Sequence, residues 1–216
     1  MKSKKEVEAI VSAMGVFQAF ISELVELVKK FGGSVENIYR LVTPEGRKTL
    51  EKIARIIADE PNEFLQLISS NESLILDAVD GTETLAKAKD IFAYIDSNFR
   101  GWGIDEKGPA TKEMAVDVHE LVKDATFSQM FGGLNADTNR LCLTQHQIKN
   151  FVKKHRGWLR TEGYATFFLF KSKDNFFVAY VYFHSDGSLF VRVYRFEHSR
   201  VWDAEYRPRV VVPRLA

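Results

Sequence analysis

Apolar residues recur at spacings of three and four through residues 4–31, which is the stripe of a long amphipathic helix. The members of the stripe are Val7, Ile10, Val11, Met14, Phe17, Ile21, Leu24, Val25 and Val28. Gly32 and Gly33 follow directly. Glycine adopts the left-handed conformation without steric cost, so this pair is predicted to end the helix.

Three further helices are predicted before residue 70. Ser34 is the expected N-cap of a short one. Thr43 and the proline after it are typical of a helix start, and the apolar spacing carries that helix to about Asp59. Pro61 begins another short helix, with Phe64, Leu65 and Ile68 on its apolar side. The first part of the chain is therefore predicted to be a helical module.

After this module the long helical stripes give way to shorter apolar runs. Two domains are therefore predicted, residues 1–70 and 71–216. Residues 74–79 are typical of a strand. The glycine-rich segment 98–109 is typical of a loop, and a helix is predicted from Thr111 through Val122.

Thr144 and Gln147 match a capping box, in which each side chain satisfies a free backbone donor of the other residue. The helix that they begin is predicted to run to about His155 and to pack on one face of a sheet. Its predicted buried residues are Ile148, Phe151 and Val152.

Short apolar runs separated by turn residues end the chain. Strands are predicted at about 164–171, 175–183, 188–196 and, at an edge of the sheet, 210–212. The short connections favour antiparallel neighbours. The predicted fold is α+β, with an N-terminal helical module followed by helices packed on a C-terminal antiparallel β-meander of about three to five strands.

Charge and aromatic residues are distributed unevenly over the 216 residues. From Thr144 to the end there are 13 Lys and Arg against 6 Asp and Glu, whereas residues 1–143 carry 17 against 23. The same final segment holds 16 of the 27 aromatic residues. A basic, aromatic segment indicates a polyanionic or acidic partner.

The basic residues on or just after the predicted helix are the first candidate site, for phosphates of a nucleic acid or carboxylates of an acidic protein. With one residue from the third strand, the predicted nucleic-acid-binding set is Lys149, Lys153, Lys154, Arg156, Arg160 and Arg192. The alternative is a solvated helix surface whose cations favour the helix C-terminus.

One face of the predicted sheet is the second candidate. In the strand 175–183 one side is purely apolar, while the other mixes Tyr180, Tyr182 and then His184. Tyr194 and Arg192 extend this mixed side in the next strand. The composition suits stacking of bases and binding of phosphates. The alternative is that helices cover this face as well.

His184 and His198 both follow predicted strands and could meet, and with Glu197, Asp203 or Glu205 they would make an acid–base pair or a metal site. The alternative is that both are ordinary loop residues. The single cysteine, Cys142, has apolar neighbours and is predicted to be an inert thiol. No motif for a cofactor, a metal or a catalytic residue is present, so none is predicted. A single cysteine and the lack of a secretion signal or a long apolar run favour a cytoplasmic protein without a membrane span.

Several phrases occur together along most of the chain. They are Tyr39–Gly46, Phe99–Gly103, Leu143–Ile148, Gly163–Phe170 and Val210–Pro213. In these phrases the chain resembles a family of uncharacterised bacterial hypothetical proteins from uncultured small-genome lineages. The resemblance implies a bacterial, cytosolic protein and assigns no activity.

Three functions remain open from the sequence. The first is a non-enzymatic binding module whose basic aromatic region meets nucleic acid or an acidic protein surface. The second is a small, metal-independent, toxin-like ribonuclease. The third is a structural or oligomeric protein in which the N-terminal helical module pairs with that of a second copy.

Overall fold

The structure, a computed structural model, describes residues 4–47, 49–50, 53, 62–135, 137–161 and 165–215. The chain divides into two compact units, residues 1–60 and residues 61–216. Each is described by itself.

The first unit contains α1 (Lys4–Lys30) and α2 (Val35–Leu41). Gly32, with a φ of 80°, follows the end of α1. The predicted N-cap position of Ser34 is confirmed, since Ser34 directly precedes α2 with an extended backbone, and its backbone N–H donates to Oδ1 of Asn37 at 2.8 Å. Most of the helix predicted from Thr43 to Asp59 lies outside the described residues.

The second unit is built on one mixed sheet of eight strands. The strands are β1 (Leu65–Leu67), β2 (Leu74–Leu76), β3 (Tyr94–Ile95), β4 (Met114–Leu121), β5 (Thr166–Ser172), β6 (Asn175–Phe183), β7 (Leu189–Arg195) and β8 (Arg209–Pro213). Their order across the sheet is β1-β4-β8-β5-β6-β7-β3, and β2 pairs with β4 beside β1.

The helices of this unit are short. They are α3 (Asn98–Gly101), α4 (Phe127–Gly132) and α5 (Gln145–Lys154), with 3-10 turns at Leu85–Lys87, Thr138–Leu141, Arg156–Trp158 and Ala204–Tyr206. The predicted capping box of α5 is confirmed, because Thr144 and Gln147 exchange hydrogen bonds of 2.8 and 3.2 Å.

The α+β class is therefore confirmed, but a simple antiparallel meander is too narrow a description. β5, β6 and β7 do form the predicted meander. Two other pairs, β3 with β7 and β5 with β8, are parallel. Parallel neighbours need long connections, and the short turns that dominated the sequence pattern could not reveal them.

The prediction that residues 210–212 form an edge strand is wrong. β8 lies in the middle of the sheet, antiparallel to β4 and parallel to β5. Val211 packs in the core on one face of the sheet, while Val210 and Val212 pack on the other. A strand buried on both faces has a continuous apolar run, which is what Val210–Val212 is.

Two predicted helices are strands. In β4 the buried Val116 and Val118 alternate with the half-buried Asp117 and His119, which is a period of two rather than 3.6. β1 replaces the helix expected after Pro61 and pairs antiparallel with β4. Both short runs were ambiguous in sequence because each is rich in apolar residues over only a few positions.

The core has two parts, one on each face of the sheet. The predicted packing of α5 is confirmed: Ile148, Phe151 and Val152 are buried with residues of β5–β7 on the first face. Phe151 meets Phe168 of β5 edge-on, with ring centroids 5.4 Å apart. α4 packs on the second face, through Phe127, Met130 and Phe131.

Candidate functional site

The lysines of α5 lie among carboxylates that belong to the segment 77–90. Lys149 is only 7 % exposed, and its Nζ lies 2.5 Å from Oε2 of Glu83 and 3.1 Å from Oδ1 of Asp90. Lys153 Nζ lies 2.8 Å from the other oxygen of Asp90. Lys154 pairs with Asp77.

These ion pairs change the proton affinity of the acids. The hydrogen bond from Lys153, reinforced by Lys149, lowers the pKa of Asp90 to about 2. The hydrogen bond from Lys149 likewise lowers the pKa of Glu83. A polyanion at this helix would have to compete with carboxylates that are already bound and ionised.

The structure does not gather the remaining predicted residues with these lysines. Arg156 is exposed, with its guanidinium 5.3 Å from the ring centroid of Phe183. Arg160 donates from Nε to the carbonyl of Tyr206 at 3.1 Å. Arg192 lies on the face of the sheet opposite α5, because it alternates along β7 with residues of the first core cluster.

The mixed face predicted from β6 and β7 is half covered and half open. Tyr180 is buried, and its ring centroid lies 5.4 Å from that of Trp202, which in turn contacts Phe127 of α4. Farther along the same strand, Tyr182 is only half-buried, and Arg192 beside it is exposed. Both alternatives raised by the sequence therefore hold, each for one half of the face.

We call the open half the open aromatic face. Its residues are Tyr94 from β3, Tyr182 from β6, His184 directly after β6, and Phe190 and Arg192 from β7.

Ring contacts connect these side chains across three strands. Phe190 is at the centre, with ring centroids 5.3 Å from Tyr94, 5.5 Å from Tyr182 and 4.7 Å from His184. Tyr94 is 42 % exposed and Phe190 is half-buried. The rings are therefore held by neighbours on the protein side while part of each remains open to solvent.

Arg192 places a permanent positive charge within this set. Its guanidinium lies 5.6 Å from the ring centroid of Tyr182. Desolvation acts to lower the pKa of Arg192, but Tyr182 and Tyr194 outweigh it and raise that pKa overall. The acid nearest to His184 is Asp186, whose Oδ1 already accepts from the N–H of Ser188 at 2.8 Å. The face thus combines exposed π surfaces with a fixed cation.

The expectation that His184 and His198 meet is wrong. β6 and β7 are antiparallel, with Phe183 opposite Leu189 and Phe177 opposite Arg195. The His184 ring stacks on Phe190 and the His198 ring contacts Tyr194, so the two histidines are separated by four residues of β7, about 13 Å at the rise of an extended strand. A general acid and base pair cannot be built from them.

Two of the other three histidines have polar neighbours. His155 Nε2 lies 2.9 Å from the carbonyl oxygen of Ile75 in β2. His146 Nδ1 lies 3.2 Å from Oδ1 of Asp80. Burial lowers the pKa of His119. Within the described residues no group of three His, Cys, Asp or Glu side chains could hold a metal ion.

Cys142 lines a pocket of about 290 Å³ at the start of α5. Burial raises the pKa of its thiol to about 12, so the thiol stays protonated at neutral pH, in agreement with the prediction of an inert cysteine. In the same pocket Glu106 accepts from the hydroxyl of Ser172 at 3.0 Å and lies 3.7 Å from Lys173. The carboxylate of Glu106 is therefore already engaged.

Sequence reasoning missed two parts of these sites. Tyr94 was not assigned to the face because its strand, β3, has only two residues and pairs with β7, which is distant in sequence. The acids that pair with α5, Asp77, Glu83 and Asp90, were not linked to it either. The sequence held one signal of this pairing. Residues 1–143 are acidic and residues 144–216 are basic, so the two segments can neutralise each other.

No family model, no curated protein and no solved structure matches this chain. The resemblance to bacterial hypothetical proteins therefore stays a prediction. Among the described residues, no helix combines the length and apolar character needed to cross a bilayer.

Proposed function

We propose that the protein is a non-enzymatic binding module that takes single-stranded nucleic acid on the open aromatic face. The observation that carries the proposal is the position of Phe190, in ring contact with Tyr94, Tyr182 and His184 on one open sheet surface. Proteins bind unpaired bases on aromatic side chains, and each stacked base is worth about 1–3 kcal/mol.

The charge on the face fits the same ligand. Arg192 is exposed beside these rings, where it can contact a phosphate while bases stack on its neighbours. The open aromatic face lies on strands of the eight-stranded sheet and not on a helix that could enter a duplex groove, so an unpaired strand suits it better than a double helix.

The sheet face also favours nucleic acid over an acidic protein. Carboxylates require cations alone, whereas the face offers four aromatic or imidazole rings around one arginine. The lysine-rich surface of α5 is the weaker candidate, since Glu83, Asp90 and Asp77 occupy its lysines.

Fluorescence anisotropy with labelled single-stranded RNA, single-stranded DNA and duplex DNA of equal length tests the proposal. We expect single strands to bind more tightly than the duplex. Phe190→Ala should weaken binding by about 5- to 100-fold, which is the range of one lost stacking contact. Arg192→Ala should also reduce the salt dependence, by a slope of about 0.7 for one single-strand phosphate contact.

Lys153→Ala is the matched control, because it removes one cation from the opposite side of the sheet. Its binding should equal that of the wild type. Absence of binding to any oligonucleotide at about 50 mM salt would overturn the proposal. A loss in Lys153→Ala with none in Phe190→Ala would move the site to α5.

A further inference from the structure

The first unit carries an apolar surface that α2 does not cover. α1 has no charged residue between Glu8 and Glu23. Along its side four large apolar residues are exposed: Phe17 at 65 %, Phe20 at 46 %, Leu27 at 49 % and Phe31 at 83 %. Scattered apolar residues are normal on a surface, but a contiguous row of aromatic ones marks an interaction site.

The spacing of this row is that of a helix-pairing seam. Phe17, Phe20, Leu24, Leu27 and Phe31 alternate between steps of three and four. Such steps keep one narrow stripe of a helix facing a second helix. We call these five residues the α1 seam.

α2 packs beside the seam rather than on it. Leu24 and Val28 of α1 line a pocket of about 430 Å³ with Ile38 and Leu41. Of the seam residues only Leu24 lines this pocket, and it is half-buried while the other four are exposed.

We propose that the α1 seam pairs with the α1 seam of a second copy, in an antiparallel two-fold arrangement. A symmetric dimer joins the same patch on both copies, so the partner's seam has matching length and apolar chemistry. With Met14 and Val16, which are also exposed, the row offers roughly 600 Å² on each copy. Doubled, this area reaches the lower bound of about 1,200 Å² for a stable interface.

The charges favour the antiparallel direction. A two-fold axis at Leu24 places Phe17 of one copy opposite Phe31 of the other. The antiparallel direction keeps Lys29 and Lys30, the basic last turn of α1, at opposite ends of the pair, whereas a parallel pairing would place the like charges of the two copies at the same end. The polar side of α1 also includes Glu26 and Lys30. This mixed charge differs from the basic face of a helix that lies on a membrane.

Sedimentation velocity of the full chain across a concentration series tests this inference, which does not rest on the proposed function. We expect a monomer–dimer equilibrium. Phe20→Glu should weaken association by at least 100-fold because it buries a charge in the seam. Gln18→Glu, which adds the same charge to another side of α1, should leave the equilibrium unchanged. Circular dichroism verifies that both variants keep their helix content.

A cysteine experiment tests the direction, with Cys142→Ser in every variant. The double variant Phe17→Cys/Phe31→Cys should form disulfide-linked dimers, whereas neither single variant should. Crosslinking of the single variants would overturn the antiparallel arrangement. A monomer at every concentration would overturn the dimer itself.

Discussion

The imidazole of His184 lies parallel to the ring of Phe190, with centroids 4.7 Å apart and an interplanar angle of 7°. His184 is exposed, whereas Phe190 is half-buried. The histidine therefore extends the π surface of Phe190 toward solvent. We expect its stacking to depend on the flat ring rather than on the charge of the imidazole.

The first prediction separates ring from charge at this position. His184→Phe should bind single-stranded oligonucleotides about as tightly as the wild type at pH 7, since it keeps the stacked ring. His184→Ala should bind about 5- to 100-fold more weakly, because one stacking surface is lost. Anisotropy titrations of both variants check this. Equal affinity of His184→Ala and wild type would show that the ring is not part of the binding surface.

The second prediction concerns acid stability. The pKa of Asp90 lies at about 2 in the folded protein, below its ordinary value of 3.8, so folding favours its ionised form. Its contribution is present above about pH 4 and is lost as the pH falls toward 2. Wild type should therefore be more stable than Asp90→Asn at neutral pH, and the two should converge between pH 4 and 2.

Urea denaturation at several pH values measures this difference. Because the Asp90 side chain is 49 % exposed, solvent screening limits the contribution to below about 1 kcal/mol. Asp174→Asn, in the exposed β5–β6 turn, is the control and should show no such convergence. A constant difference between wild type and Asp90→Asn at all pH values would contradict the ion pairs with Lys149 and Lys153.

The third prediction compares two glycines with nearly the same backbone conformation. Gly81 has a φ of 76° and Gly187 a φ of 79°. A Cβ at Gly81 would lie 2.3 Å from the carbonyl oxygen of Gly108, whereas one at Gly187 would meet open space. Both alanine variants are strained in the left-handed region by about 1–2 kcal/mol. Only Gly81→Ala must also displace backbone.

Gly81→Ala should consequently be at least about 2 kcal/mol less stable than Gly187→Ala, as judged from urea unfolding midpoints. The contact matters because the N–H of Gly108 donates to the carbonyl of Gly81 at 3.0 Å. This bond ties the segment that bears Glu83 and Asp90 to the loop before β4. Similar stabilities of the two variants would mean that the loop containing Gly108 moves aside at little cost in free energy.

The meander and α5 could be predicted from sequence because their signals are local. Alternation in β6, the turn at Asp186 and Gly187, and the Thr144 capping box each involve residues a few positions apart. The mixed side of β6 and β7 was recognised in the same way. The residues that cover half of this side could not be predicted, since Phe127 and Trp202 come from distant parts of the chain.

Local reasoning also failed where pairing is long-range. β4 was predicted as a helix because its partners, β1, β2 and β8, lie far from it in sequence. The lysines of α5 looked free for the same reason, since Glu83 precedes Lys149 by more than 60 positions. Sequence shows which residues are charged, but their neutralisation is a property of the assembled fold.

The central place of β8 also sets an order of events during synthesis. β4 and β5 do not pair with each other, and β8 alone joins them. Until Arg209–Pro213 has left the ribosome, the inner edges of β4 and β5 have no strand of this sheet to pair with. Such edges can recruit strands from other chains. The sheet therefore cannot be completed before the last of its strands is available.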